Sequence, residues 1–287
     1  MTNDSFSIRL REARQMMGLS MDKLVERTNG AITKQSISRY EKGIMRPKRD
    51  ALQAIAKALN ISEAYFDGTN IKIDVPMLRT TSNGKVSEDE LQALEAKLSF
   101  WAEQYLAKEK EAGFPTQFKN PIKGTRVSTL EDAIQASSLL REKWHCGDGP
   151  IASILRLLER KGIMILAATL PDYVFGMSTW ADKKHPLMIL DFNPEKSSVE
   201  KLRFTAAHEL AHLLLLFPED SPLKLEKRCD FFASFFLLPK LALIEELGSR
   251  KRELITLEEM IDIKELYGAS LAASIMAARD YGIITTE

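Results

Sequence analysis

Cysteine is nearly absent from this sequence: Cys146 and Cys229 are the only two in 287 residues, and they form no CxxC pair. That excludes a disulfide framework and a cysteine-built zinc knot. Long apolar runs are missing as well, since nothing approaches the ~18 consecutive residues of a membrane span. The opening MTNDSFSIRLREARQ lacks the apolar stretch of a secretory signal. No membrane partner and a cytoplasmic location are therefore expected. Net charge is zero, with 40 Lys/Arg against 40 Asp/Glu, and histidine is limited to four residues. No repeat of fixed period and no low-complexity segment occurs. What is present is 45% hydrophobic content in a chain long enough for two ordinary domains, each with its own core.

The overall charge balance conceals a local excess. Residues 1–68 carry 12 Lys/Arg against 8 Asp/Glu, and six of those basic residues fall between Lys34 and Arg49 with a single acid among them. The same region is a series of short helical patterns broken at GLS, TNG and KG. Apolar residues at Leu10, Ala13, Leu19, Leu24, Val25, Ile37, Tyr40, Leu52, Ile55, Ala56 and Leu59 suit four or five short helices around a small core. Ser20 and Thr33 are good N-caps, and Gly43 can end the third helix. On that helix Lys34, Gln35, Ser36 and Arg39 lie away from the side that Ile37 and Tyr40 would bury. Gln pairs bidentately with adenine and Arg with guanine, Ser with either, while Lys42, Arg46, Lys48 and Arg49 can hold phosphates.

These residues carry a resemblance. GLSMDKLVERTNGAITKQSISRYEKGIMRPKRDALQAIAKALNIS resembles the lambda-repressor-like XRE helix-turn-helix, with its G-L-S, its S-I-S-R-Y-E-x-G recognition helix, its Pro and its A-x-A-L. The resemblance covers about the first quarter of the chain. It implies a five-helix DNA-binding domain over 1–68 and a double-stranded operator as partner, and it leaves a homodimer open. The turn TNGAIT is longer than the family pattern.

After Gly68 the chain reads as a linker, 69–124. It contains Pro76, an Asn83-Gly84 turn, a polar helical pattern from about Ser87 to Ala112, and the irregular GFPTQFKNPIKG. The second domain is expected over 125–287. TLEDAIQASSLLREKWH and PIASILRLLERKG read as helices, and GIMILA and PLMILDF as short strands.

TAAHELAHLLLLF, residues 205–217, places two of the four histidines and a glutamate within five positions of an apolar run. Ser197 with Glu200 suggests a capping box, and Pro218 stops a helix, so one helix is expected over 198–217. His208 and His212 then share a face one turn apart, and two imidazoles so spaced can bind one metal. Glu209 can reach a metal-bound water. This is the HExxH pattern of two zinc ligands and a general base. A third ligand is expected on the helix that SPLKLEKRCDFFASFFLLP forms, with Ser221 as cap and Pro222 at its first position. Glu226 and Asp230 lie one turn apart there. A carboxylate buried on so apolar a helix is costly unless paired or metal-bound, which makes Glu226 the candidate ligand. Asp230 is then the acceptor that orients a ligating histidine, or else an acid on the helix's outer face.

RFTAAHELAHLLL followed by EKRCDFFASFFLLP is similar to the ImmA/IrrE metallopeptidase family, and GPIASILRLLERKGIMIL, GMSTWAD and PLMILDFN extend the likeness over about residues 145–240. The resemblance implies a gluzincin-like fold with Zn2+ on His208, His212 and Glu226, Glu209 as catalytic base, and a repressor-type protein as substrate. Cys229 stands where the family has alanine and reads as a small core residue. A strand edge within 175–180 or 187–192 could align an extended substrate. His185 and Tyr173 are available as oxyanion donors, though a surface histidine and a core tyrosine are the simpler readings.

The expected architecture is thus α+β, mainly α: a lambda-repressor-like domain followed by a metallopeptidase domain with a small sheet. The expected function is a sequence-specific transcriptional regulator whose zinc endopeptidase cleaves a repressor-type protein, in trans or within its own chain. A non-catalytic sensor or protein-binding domain that controls a DNA-binding repressor is the alternative.

Overall fold

Helix caps determine where this chain turns. The structure, a computed structural model, describes residues 3–68, 71–73, 87–113, 117–248 and 252–284. It is mainly helical with one three-stranded sheet, the α+β class expected. Two units separate by contact, Met1–Pro115 with Trp180–Lys184 and Thr116–Thr179 with His185–Glu287. Among the described residues no helix is long and apolar enough to cross a membrane.

The first unit opens with α1 (Asn3–Met16), α2 (Met21–Arg27), α3 (Lys34–Glu41) and α4 (Arg49–Leu59), followed by a 3-10 helix over Glu63–Asp67. Ser20 accepts from the Lys23 N–H and Thr33 from the Ser36 N–H, so both expected caps form. Leu10, Leu24, Ile37, Ile55 and Leu59 are fully buried together with Phe6 and Phe66, while Val25 and Leu52 sit at the margin of this core. The long turn is accommodated by left-handed residues at Asn29 (φ 52°) and Gly30 (φ 76°), after which Ile32 drops into the core.

A fifth helix, α5 (Glu88–Glu111), begins at a complete capping box of Ser87 and Glu90. It packs along α1. The buried Arg9 reaches it with two hydrogen bonds to Glu103, at 2.6 and 2.8 Å, and donates a third to the Tyr65 carbonyl. Phe100 adds to the small helical core. Much of the region read as a linker is therefore a packed helix. The Asn83-Gly84 turn and Pro76 lie outside the described residues.

The second unit contains α6 (Leu130–Trp144), α7 (Ile154–Arg160), β1 (Met164–Ala167), β2 (Gly176–Ala181), β3 (His185–Leu190), α8 (Val199–Leu214), α9 (Pro222–Leu237), α10 (Lys240–Leu247), α11 (Leu257–Tyr267) and α12 (Leu271–Asp280). The sheet order is β1-β3-β2, with β1 and β3 parallel and Met164 opposite Leu187. Asp182 and Lys183, at φ 50° and 58°, turn β2 back into β3, closed by the Lys184 N–H on the Ala181 carbonyl at 3.0 Å. Leu187 through Leu190 are fully buried, as a central strand covered on both faces requires. This corrects one expectation: residues 187–192 offer no free edge, because β3 is paired on both sides, and the edge near the HExxH helix is β2.

Helix α8 also departs from expectation. Its cap is Ser198, which accepts from the Lys201 N–H, and not Ser197. Its end is Leu214 and not residue 217, because Leu215 is extended and Leu216 bridges Arg126. That pairing satisfies backbone groups before Pro218 is reached. Helix α9 begins with Ser221 and Pro222 as expected and packs on both α6 and α8. Arg203 ties α8 to the end of α11, donating to the carbonyls of Ile151, Tyr267 and Gly268. Gly268 is needed there: its φ is +60°, and a Cβ would meet Arg203 Nε at 2.6 Å.

Candidate metal centre and DNA-binding helix

Helix α3 buries Ile37, Tyr40 and Glu41 and turns Lys34, Gln35 and Arg39 to solvent, with Lys42 just beyond its end. The buried Glu41 is what fixes the helix. It accepts from Arg14 Nε at 2.6 Å and from the second Arg14 nitrogen at 2.9 Å, a bidentate pair between α1 and α3. Sequence reasoning passed over this pair, although Glu41 is the one acid in the basic stretch, and that isolation was the available signal. Ser36 is partly committed, since its hydroxyl lies 2.9 Å from Thr33 Oγ1. Lys34 pairs with Asp22 at 2.7 Å and Arg46 with Asp67 at 3.0 Å. Both pairs are exposed, so they hold these side chains only weakly. Lys48 and Arg49 are exposed at the start of α4.

On α8 the two histidines turn toward each other, with Nε2 to Nε2 at 3.1 Å. Glu226 of α9 meets both: one oxygen lies 3.0 Å from His208 Nε2 and the other 3.7 Å from His212 Nε2. Asp230 accepts at His208 Nδ1, the opposite ring nitrogen, at 2.8 Å. The structure thus brings His208, His212, Glu226 and Asp230 together. The reason advanced for the acids needs correction, however. Glu226 is 40% and Asp230 52% exposed, so neither carries the cost of deep burial, and α9 presents them on an open face while its phenylalanines pack inward.

The electrostatics favour positive charge at this point. Burial disfavours a protonated His208, but the hydrogen bonds to Asp230 and Glu226 outweigh it and raise its pKa to about 10. Burial likewise opposes ionisation of Glu226, and the bonds to the two histidines override it, bringing its pKa to about 2. Two imidazoles and a carboxylate with converging atoms form a donor set of zinc type. A second set overlaps it, because ligand atoms of His208, His212 and Cys229 lie within 4.8 Å of one another. The thiol, however, approaches His212 at Nδ1, 3.9 Å away, whereas both Nε2 atoms face Glu226. Cys229 is fully buried, and burial pushes its pKa up, which disfavours the thiolate a metal would need. The histidine–histidine–glutamate set is the better defined.

Glu209 is buried on the next face of α8, where Ser178 of β2 donates to its carboxylate at 2.8 Å. Strand β2 comes this close because Gly176 has no side chain: a Cβ there would lie 2.6 Å from Thr205 on α8 and 2.9 Å from Leu190. His185 opens β3, and Tyr173 lies exposed between β1 and β2.

A family model for a helix-turn-helix domain matches residues 10–66, and a model for an IrrE N-terminal-like domain matches residues 158–277. The chain is a fusion of the two. No curated protein matches it. It is a DNA-binding regulator with a metallopeptidase-like second domain, and α8 and α9, with His208, His212, Glu226 and Asp230, fall inside the IrrE-like match. So does β2, which supplies the one site contact that sequence reasoning missed, Ser178. Its signal was the segment GMSTWAD, whose leading glycine marks a close approach and whose serine stands two residues later on the same strand face.

Proposed function

We propose that the IrrE-like domain is a zinc-dependent endopeptidase whose substrate is a repressor-type protein, and that the helix-turn-helix domain binds a specific operator. The observation that carries the first part is the convergence of His208 Nε2, His212 Nε2 and Glu226 within 3.0 to 3.7 Å, backed by Asp230. Zinc bound by His208, His212 and Glu226 would polarise a carbonyl and acidify a water to a pKa of about 7. Glu209 accepts a proton from the attacking water and hands it to the leaving amine. Ser178 holds one oxygen of that carboxylate and leaves the other to take the proton. Asp230 fixes the tautomer and the ring plane of His208. Strand β2, which carries Ser178 beside Glu209, is the strand along which an extended peptide would align.

On the DNA side, Gln35 and Arg39 read bases, with Lys34 and Ser36 beside them, and Lys42, Arg46, Lys48 and Arg49 position phosphates. Lys34 and Arg46 exchange their weak surface partners for the nucleic acid. The substrate is a partner repressor or the chain's own segment between the domains, with cleavage in trans favoured because α5 already occupies much of that segment and packed helices do not enter an active site.

Incubating the wild type and Glu209→Gln with zinc and candidate repressors, then mapping fragments by mass spectrometry, tests this reading. Fragments from the wild type alone support it. Intact partners and an intact chain with both proteins would hand the IrrE-like domain to the alternative reading, a sensor without catalysis.

A further inference from the structure

A cavity of about 640 Å³ opens between the first half of α8, the second half of α9 and the start of α12. Phe204, Phe231, Phe235, Leu238, Ala273 and Met276 form its apolar walls, and its size falls in the roughly 300 to 1,000 Å³ range of small-molecule sites. The charged groups around it divide into two sets. Its acids are already partnered: Glu200 with Lys264 at 2.9 Å, Asp230 with His208 at 2.8 Å and Asp280 with Arg279 at 2.8 Å. Its two cations differ: Lys227 has no carboxylate partner among the described residues, whereas Lys201 rests its ammonium on the Phe175 ring, 3.0 Å from the centroid. Burial, and secondarily the neighbouring Lys196, push the Lys201 pKa down. The first residues of α12 also line the cavity, so the positive end of that helix faces it.

We propose that this cavity is a binding site for a small amphipathic anion, an aliphatic or aromatic carboxylate whose apolar body fills the interior and whose charged end meets Lys227. The site is distinct from the metal cluster. The cavity reaches that cluster only at Asp230, on the Nδ1 side of His208, and none of His208, His212 and Glu226 lines it. An apolar wall with a few convergent charges at one end selects for such a ligand, because the body gains from leaving water while the charge keeps a partner. The inference does not depend on zinc or on peptidase activity.

The test is titration of the full chain with anilinonaphthalene sulfonate, followed by competition with decanoate and with decanol. Saturable binding at one site, displaced by decanoate and about tenfold less well by decanol, is the expected result. Ala273→Trp should abolish it by filling the cavity. The exposed Lys227→Gln, which leaves the core untouched, should weaken decanoate several-fold and leave decanol unchanged. Failure of decanoate to compete up to its solubility, or equal decanoate affinity in the wild type and Lys227→Gln, would overturn the proposal, as would undiminished binding to a folded Ala273→Trp.

Discussion

The two domains differ in one arrangement of buried and half-buried charge. In the first, each inward-facing cation meets one carboxylate in a closed bidentate pair: Arg14 with Glu41 across α1 and α3, Arg9 with Glu103 across α1 and α5. The IrrE-like domain has such pairs too, Lys196 with Asp191 at 2.7 Å and Arg228 with Asp220 at 2.8 Å, but it also brings two imidazoles and the Glu226 carboxylate to a single point, with Asp230 behind one imidazole. A closed pair, with the neighbouring groups of the fold that join it, satisfies its charges internally, so its role is register. A cluster that gathers several donors at one point is suited to a cation. The contrast separates charge that builds a fold from charge that builds a site.

The largest effect should come from breaking a closed pair. Arg14→Ala leaves the buried Glu41 with only the more distant and exposed Arg11, 3.8 Å away, and should cost about 3 kcal/mol, read by urea unfolding of the full chain, with metal content unchanged. Replacing both partners, Arg14→Met with Glu41→Leu, should cost far less. Equal costs for the single and double variants would break the comparison, because Glu41 would then not need its partner.

In the cluster, Asp230→Ala should lower zinc affinity about 10 to 100-fold by releasing the His208 ring, measured by chelator competition, without a loss of stability comparable to that of Arg14→Ala. An unchanged affinity would return Asp230 to the status of a surface acid. On the outward face of α3, Arg39→Ala should cost about 1 to 3 kcal/mol and relax preference at one base pair. Lys48→Ala should weaken all sequences alike and flatten the salt slope by about one unit. Titrations at several salt concentrations on selected and random duplexes distinguish the two, and identical behaviour of the variants would count against base reading by Arg39.

The smallest effect belongs to an ordinary surface pair in the IrrE-like domain. The Lys264 ammonium holds Glu200 down from its usual value near 4.5 to about 2, helped by hydrogen bonds at the start of α8. The stability this contributes is present above about pH 4.5 and is lost as pH falls through 2. Lys264→Met should therefore cost under ~1 kcal/mol at neutral pH. Its midpoint difference from the wild type should shrink on acidification below about pH 4.5, and a difference at pH 2 as large as that at neutral pH would contradict the pairing.

Much of this molecule was legible in its sequence because local chemistry and global fold agree. Ser20, Thr33 and Ser221 stand where the helices begin, and the apolar spacing of residues 10–59 anticipates most of the first core, though not Phe6, Ile32, Tyr65 and Phe66. HExxH and ExxxD put their side chains at one point because a helix carries residues four apart on the same face. Less was legible wherever a residue's role depends on a distant segment. Ser178 faces Glu209 only because Gly176 lets β2 approach α8, and Arg9 meets Glu103 across 94 positions of chain. Register likewise decided that β3 is central and β2 the edge, since a run such as PLMIL is equally compatible with a strand in either position. The end of α8 at Leu214 is set by the bridge between Leu216 and Arg126, which Pro218 alone could not signal. Helices α10 to α12 carry no motif, and only their caps, such as the Thr256–Glu259 box and Gly268, mark them in the sequence.

Elemental analysis and native mass spectrometry of the wild type, Glu209→Gln and His212→Ala test whether His208, His212 and Glu226 hold one metal ion while Glu209 acts beside it. About one zinc per chain is expected in the first two proteins and none in the third. Full zinc occupancy in a folded His212→Ala, or a wild type that takes up no zinc, would contradict that assignment.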